Sequence, residues 1–403
     1  MTSSQDREIG DARLPHVAQI SIGRFHHFHL ARQLERHGML EAIFTGYPRF
    51  KLRDETGIPW EKIHPFPWLQ APYMMRGRFH LDGPRISREW EWWAKVTLDA
   101  YASVRLGKAN RLVALSGMGL ISGRKIQLRG GTYVCDRGSS HIRYQHEILR
   151  DEYLRWGFEF PGVDPRVILR EEAEYETADR ITVPSEFVRR SFLQKGVPEA
   201  KVVKIPYGAR LDRFRPVADP DPTKFTVLFV GQVSLRKGFM DLLMAFEGLR
   251  HPTKELLVIG GMSEEVRQLL RDRSVDNVHF LGNVPNAELP QYYSRADVFA
   301  LPSIEEGLSM VMGEALACGC PIVATSHTGA EDLFTDGKEG FIVDIRTPKL
   351  LLEKLEHLAQ DCSLRRRMGE AALVRVRSIG GWDQYGADFG AFLGCIGAPK
   401  PQG

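Results

Sequence analysis

"DVFALPSIEEGLSMVMGEALACGCPIVAT", residues 297–325, holds a strand, a turn, a helix and a second strand in one short stretch. "DVFALPS" has the apolar run of a buried strand, and "EEGL" is the turn after it. Ser309 to Ala317 read as a helix, stopped by Gly319 and Pro321 before the apolar run "PIVAT". Such alternation specifies parallel strands with helices on both faces. It continues outward through "FTVLFVG", "ELLVIGG" and "VHFLG" before this stretch and "GFIV" after it. The N-terminal half repeats the theme less cleanly, in "HVAQIS", "EAIFTG", "RLVALSG", "TYVCD" and "RITVPS", with longer insertions between them. The expected class is α/β, with two Rossmann-like doubly wound domains facing each other across a cleft, since ligands of open parallel sheets bind beyond the carboxyl ends of the strands.

The division follows from the breaks in pattern. Ile205 to Lys224, "IPYGARLDRFRPVADPDPTK", carries four prolines and a glycine and reads as an interdomain linker. We therefore expect an N-terminal domain over 1–205, a linker over 206–224 and a C-terminal domain over 225–380. "GGWDQYGADFGAFL" spaces Trp382, Tyr385, Phe389 and Phe392 along one helical face, so a tail helix within 381–403 should pack back onto the first domain.

Composition narrows the class further. A chain of 403 residues, 43% hydrophobic and 26% charged, can bury two cores. A net charge of +3, from 54 Lys+Arg against 51 Asp+Glu, argues against a nucleic-acid partner. "MTSSQDREIGDARLP" has no apolar signal core, and nowhere do 18 apolar residues run together, so the expected location is cytoplasmic. The five cysteines lack zinc spacing and read as reduced structural thiols.

Glu306 and Glu314 set the chemical question, because the second falls inside an apolar run. Eight residues of helix rise span about 12 Å, which suits two groups at opposite ends of an extended ligand. The N–H groups of Gly307, Leu308 and Ser309 lie between them at a helix start, a favourable place for an anion such as a diphosphate.

This segment resembles the Glu, seven residues, Glu motif of the retaining glycosyltransferases of family 4, the glycosyl transferases group 1, which have the GT-B fold. "FVGQVSLRKGFMDLL" is similar to the family's phosphate-binding strand and loop, and "VHFLGNVPNAELPQYYSRADVFALPS" to its nucleotide-base region, with Val284 inside it. "VPSEFVRRSFLQKGVPEAKVVKIPYGARLDRF" is similar to its interdomain segment. The similarity is strong over Asp179 to Val343 and loose before it.

The resemblance implies a retaining, metal-independent hexosyltransferase. It would take a UDP or GDP sugar as donor and the hydroxyl of a glycan, lipid-linked or polysaccharide acceptor. Glu306 would contact the donor sugar, Glu314 the ribose, and Gly307, Leu308 and Ser309 the distal phosphate. Gly231, Arg236 and Lys237 would line the phosphate loop, the two cations stabilising the leaving group. The family usually has an arginine directly after the first glycine. Gln232 stands there in this chain, and Arg236 is the candidate to compensate. His141, in "YVCDRGSSHIRYQHEILRDE", matches the family's active-site histidine; read plainly, it is a cap or core-edge residue. A nucleotide-sugar epimerase of the same fold and a non-catalytic sugar-nucleotide-binding protein are the rival readings.

Other motifs carry less. Of His26, His27 and His29, the two adjacent ones point to different helix faces, and no cysteine or carboxylate is close enough in sequence to complete a site, so a metal is not expected. Arg24, His26 and His27 are acceptor-side candidates. "GMGLISG" lacks the dinucleotide spacing, and Asp219-Pro220-Asp221 sits in the linker, so neither NAD nor metal is called for. "YMMRGRFHLDGPRISREWEWWAKV", residues 73–96, reads either as a peripheral membrane contact or as an acceptor-side insertion around a packed tryptophan cluster.

Overall fold

The computed structural model describes residues 14–79, 81, 83–208 and 213–396. The polar start, residues 209–212 of the linker, residues 80 and 82 of the Trp-rich segment, and residues 397–403 of the tail lie outside them.

Thirteen strands lie among the described residues. A seven-stranded sheet holds β1 (Val17–Ser21), β2 (Leu40–Thr45), β3 (Ile63–Pro65), β4 (Arg111–Leu115), β5 (Thr132–Asp136), β6 (Arg180–Val183) and β7 (Val202–Lys204), in the order β3-β2-β1-β4-β5-β6-β7. A six-stranded sheet holds β8 (Phe225–Val230), β9 (Lys254–Ile259), β10 (Val278–Gly282), β11 (Val298–Leu301), β12 (Ile322–Thr325) and β13 (Gly340–Val343), in the order β10-β9-β8-β11-β12-β13. Neighbours pair in parallel, as β8 does with β9 and β11. All six strands expected from Phe225 onward are present. β8, β11 and β12 are buried at every position, as strands covered on both faces must be, and their sequences are correspondingly unbroken apolar runs. The three-residue strands β3 and β7 are too short for such a run and escaped the sequence reading.

Of the described residues, 14–135, 176–179 and 386–396 form one compact unit, and 136–175 with 180–385 form the other. In the first, β1 feeds the helix α1 (Phe25–Arg36). The Trp-rich segment lies on the helices α2 (Pro67–Met75) and α3 (Pro84–Ser103). The second half of α3 buries Ala94, Leu98 and Ala102, and the Asp99 carboxylate accepts from the N–H groups of Ile121 and Ser122. The helix Trp382–Cys395 confirms the helical periodicity of the tail. Its Gly386 lies against Gln33, where a side chain would collide, and Arg111 Nη2 donates to the Ile396 carbonyl at 2.7 Å. The described linker residues form neither helix nor strand.

In the six-stranded sheet the chain order reverses between β8 and β11. Loops that leave the carboxyl ends of those two strands diverge around a crevice, the place where doubly wound sheets bind ligands. The loop after β8 is 231–238 and the loop after β11 is 302–309, so topology puts the glycine-basic motif and the first glutamate side by side.

Candidate functional site

The two loops are locked by their backbones. Gly238 sits at φ 65°, a conformation few L residues adopt, and any Cβ there would run into the Pro302 carbonyl. Ile304 N–H donates to the Arg236 carbonyl at 2.8 Å, closing the contact from the other side. Lys237, pre-positioned by this turn, pairs its ammonium with Glu306 Oε1. Both side chains are largely withdrawn from water, 19% and 13% exposed, so the pair is stronger than a surface one. Gly231 lies beside the Lys237 stem: a Cβ there would stand 3.7 Å from Cε.

Gly307 is wedged as tightly. A side chain would strike the Gly138 carbonyl, and its own carbonyl accepts from Ser185 Oγ at 2.6 Å. Glu306 N–H donates to His327 O and Ser309 N–H to Thr328 O. Ser309 thus spends the N–H that sequence reasoning assigned to a phosphate. Among the described residues, the N–H groups of Gly307 and Leu308 have no acceptor; they precede the helix Met310–Ala317, whose dipole adds positive potential there. His327 Nδ1 lies 3.0 Å from Ile304 O, which places its proton on Nδ1, and the ring stacks on Phe187 at 4.4 Å.

The most heavily bonded carboxylate of the site is Glu305, which sequence reasoning passed over. It is fully buried. Its Oε1 accepts from Ser139 Oγ (2.8 Å), Ser140 N (3.0 Å) and Ser140 Oγ (2.7 Å); its Oε2 accepts from Gln145 Nε2 (2.9 Å) and pairs with Arg236 Nη2 (2.9 Å). Burial alone would push this carboxyl up. The Arg236 charge, followed by the Ser140 and Gln145 hydrogen bonds, outweighs burial and holds it at about 2. Arg236 also donates Nε to the Glu305 carbonyl at 3.1 Å, so its guanidinium is committed to its neighbour while 40% of the side chain stays exposed. The one signal available in sequence was the doubled Glu305-Glu306, and nothing in it separates the structural member from the free one.

The turn after β5 that Glu305 anchors is held from behind by Arg137. Its guanidinium donates to Ser140 O (3.0 Å), Glu171 (2.8 Å) and Gln145 Oε1 (3.0 Å). His141 follows as N-cap of the helix Ile142–Arg155, as the sequence position suggested. Its Nδ1 accepts from Arg143 N at 3.2 Å, its N–H donates to Ser191 Oγ at 2.9 Å, and its ring packs on Tyr175 and Phe192. Burial lowers its pKa to about 4. It is therefore a neutral imidazole at pH 7, with the remaining proton on Nε2.

Glu314 lies in the helix Met310–Ala317, 8% exposed, and accepts from the fully buried Tyr293 hydroxyl at 3.1 Å. Val284 is half-buried in the loop after β10. Direct contacts thus join Lys237 to Glu306 and Arg236 to Glu305, with Gly231 beside the Lys237 stem, and bring the residue before His141 onto Glu305. Of the acceptor-side candidates, in the first unit, Arg24 pairs with Glu55 at 2.8 Å, a carboxylate that also holds Arg32 at 2.6 Å, and His27 is fully buried with its ring 4.3 Å from His26. Among the described residues the five cysteines form no disulfide, and burial pushes Cys318 up to about 12.

The doubly wound sheet thus brings a lysine-glutamate pair and helix-start N–H groups without a described acceptor to its switch point, the place where sheets of this class bind ligands. Comparison with known proteins narrows this class. Residues 212–375, less than half of the chain, match the family described as glycosyl transferases group 1, so the resemblance read from the motifs holds. A GDP-mannose-dependent alpha-(1-6)-phosphatidylinositol monomannoside mannosyltransferase of Mycobacterium tuberculosis is 31% identical over 240 residues, 53% of this chain and 61% of that protein. A D-inositol 3-phosphate glycosyltransferase of Corynebacterium jeikeium is 36% identical over 192 residues, 42% of this chain and 46% of that one. The matches thus span about half to three fifths of these relatives. Among solved structures, sucrose-phosphate synthase from Thermosynechococcus elongatus has a TM-score of 0.70 at 21% identity, covering 94% of this chain and 98% of that one. Anabaena HepE in complex with UDP-glucose has a TM-score of 0.67 at 16% identity, covering 94% and 100%. The fold is GT-B. Among the described residues, no helix is long and apolar enough to cross a membrane.

Proposed function

We propose that this chain is a retaining glycosyltransferase that moves a hexose from a nucleoside diphosphate sugar to an acceptor hydroxyl without a metal ion. The observation that carries the reading is the Lys237–Glu306 pair set against the acceptor-free N–H groups of Gly307 and Leu308. Cleavage of a sugar nucleotide concentrates negative charge on the distal phosphate, and preorganised cations and N–H dipoles lower that barrier. Lys237 and the two N–H groups supply them. Glu306, held by Lys237, is placed to accept from donor-sugar hydroxyls, and His141 offers Nε2–H as a donor to the same sugar. Glu314, oriented by Tyr293, accepts from ribose hydroxyls. Retention follows the front-side route: the acceptor hydroxyl attacks on the face the phosphate leaves, and the phosphate oxygen takes its proton. Arg236 is half of a fixed ion pair and acts on the phosphate through its exposed edge.

The M. tuberculosis relative is named for GDP-mannose and the Anabaena structure holds UDP-glucose, which supports a guanosine or uridine diphosphate donor here. The acceptor class is a glycan or lipid-linked hydroxyl. The test is the thermal shift given by a nucleotide and nucleotide-sugar panel, with and without chelator, on the native chain and on Glu314→Gln, which keeps an acceptor for Tyr293. A chelator-insensitive shift by GDP or UDP species, weakened in the variant, supports the donor site. No shift with any of them overturns it.

A further inference from the structure

We propose that the α2–α3 face of the first unit docks onto an anionic lipid surface. A fully packed tryptophan cluster would bury all its rings; here Trp90 and Trp92 are half-buried while Trp68 and Trp93 stay in water. Trp68 is 75% exposed and Trp93 51%, with Met74, Met75, Leu81 and Ile86 between 41% and 47%. None of the nine residues of α2 is buried, although the helix is mostly apolar. α3 divides in the middle: from Ala94 onward it supplies core residues, while Ile86, Trp90 and Trp93, at i, i+4 and i+7, form one stripe toward Leu69 of α2. Together with Arg85 and Glu89 they line a groove of about 480 Å³. Large apolar groups gathered on one face of a soluble unit mark a contact surface.

The charge beside the stripe indicates the partner. Residues 67–95 hold five basic against three acidic residues, and one of the latter, Glu91, is paired with Lys95 at 2.7 Å. Arg85 lines the groove, and Arg76 stacks 4.0 Å over the Tyr73 ring while bonding Ser87 and the Tyr73 carbonyl. Tryptophan and methionine at the rim with arginine at the flank fit the boundary between acyl chains and anionic headgroups. The rings enter the boundary there and the guanidinium groups stay with the phosphates. A protein partner would gain less from arginines left beside an apolar groove than from an opposite charge built across it.

The experiment is co-sedimentation of the full chain with phosphatidylcholine vesicles, with and without phosphatidylglycerol, at low and high salt. The native chain should bind the phosphatidylglycerol vesicles, weaken as salt rises, and bind the neutral vesicles far less. Trp68→Ser with Trp93→Ser should lower affinity roughly tenfold or more, as should Arg85→Glu, with melting temperature and nucleotide response unchanged. Vesicle binding needs no turnover, so the outcome stands apart from the donor-site test. Failure to bind phosphatidylglycerol vesicles, or equal binding by native and variant chains, overturns the proposal. A native dimer that the tryptophan variant dissolves also overturns it and makes a second copy the occupant.

Discussion

The loop around Glu305 and the helix pair α2–α3 each invert the usual partition of side chains, and they resolve it differently. Glu305 is a charge taken wholly out of water, yet serine, glutamine, backbone and arginine donors surround it, so burial costs it little. Trp68 and Trp93 are large apolar rings left in water, and among the described residues no partner covers them. A buried charge had to be satisfied within the fold. Exposed apolar surface can wait for a partner outside it.

Four measurements would break or sharpen this contrast. The largest effect is expected at the member of the doubled glutamate that is free to meet a ligand. Glu306→Ala and Lys237→Ala should each lower transfer roughly a hundred- to thousandfold, read as kcat with a nucleotide sugar identified by the thermal panel. Its neighbour should answer in stability instead. Glu305→Ala strands Arg236 and the Ser140 N–H and should cost about 3 kcal/mol in urea unfolding. An intact midpoint would show that the network carries no energy.

The third is a pH profile. The folded-state pKa of Glu305, about 2, lies below its ordinary 4.5, so the unfolded chain binds the proton first. Its stabilisation is complete above 4.5 and disappears as pH falls toward 2. His141 adds an earlier loss: with its pKa lowered from 6.5 to about 4 by burial, stability falls as pH drops through that interval. The urea midpoint should therefore decline from about pH 6.5 downward, and His141→Asn, which can still cap the helix, should flatten the upper part of that decline. The smallest effect belongs to the exposed rings. Trp68→Ser and Trp93→Ser should each change stability by about 0.5 kcal/mol or less, because neither ring fills a core position. A loss several times larger would mean that the rings pack internally after all.

Much of this was readable in residue order. Six apolar runs after Phe225 announced six parallel strands, and those of β8, β11 and β12 run unbroken because strands covered on both faces need no alternation. The glycine-basic loop and the Glu306–Glu314 spacing announced a site, because turn glycines and helix starts impose local constraints that sequence expresses directly. Glu305 stayed hidden because its role comes from Ser139, Ser140 and Gln145, some 160 residues away, brought to it by folding alone. The reading of α2 and α3 stayed open because tryptophan, methionine and arginine in close alternation do not declare which face a neighbour will cover.

Composition and pattern thus settle the class of fold, the longer strands, and the neighbourhood of the candidate site, since backbone hydrogen bonding and hydrophobic periodicity are properties of local sequence. Which glutamate is structural and which is free, which histidine nitrogen keeps its proton, and which tryptophans face water depend on contacts between distant segments. Those contacts come into being when the chain closes, and local pattern does not carry them.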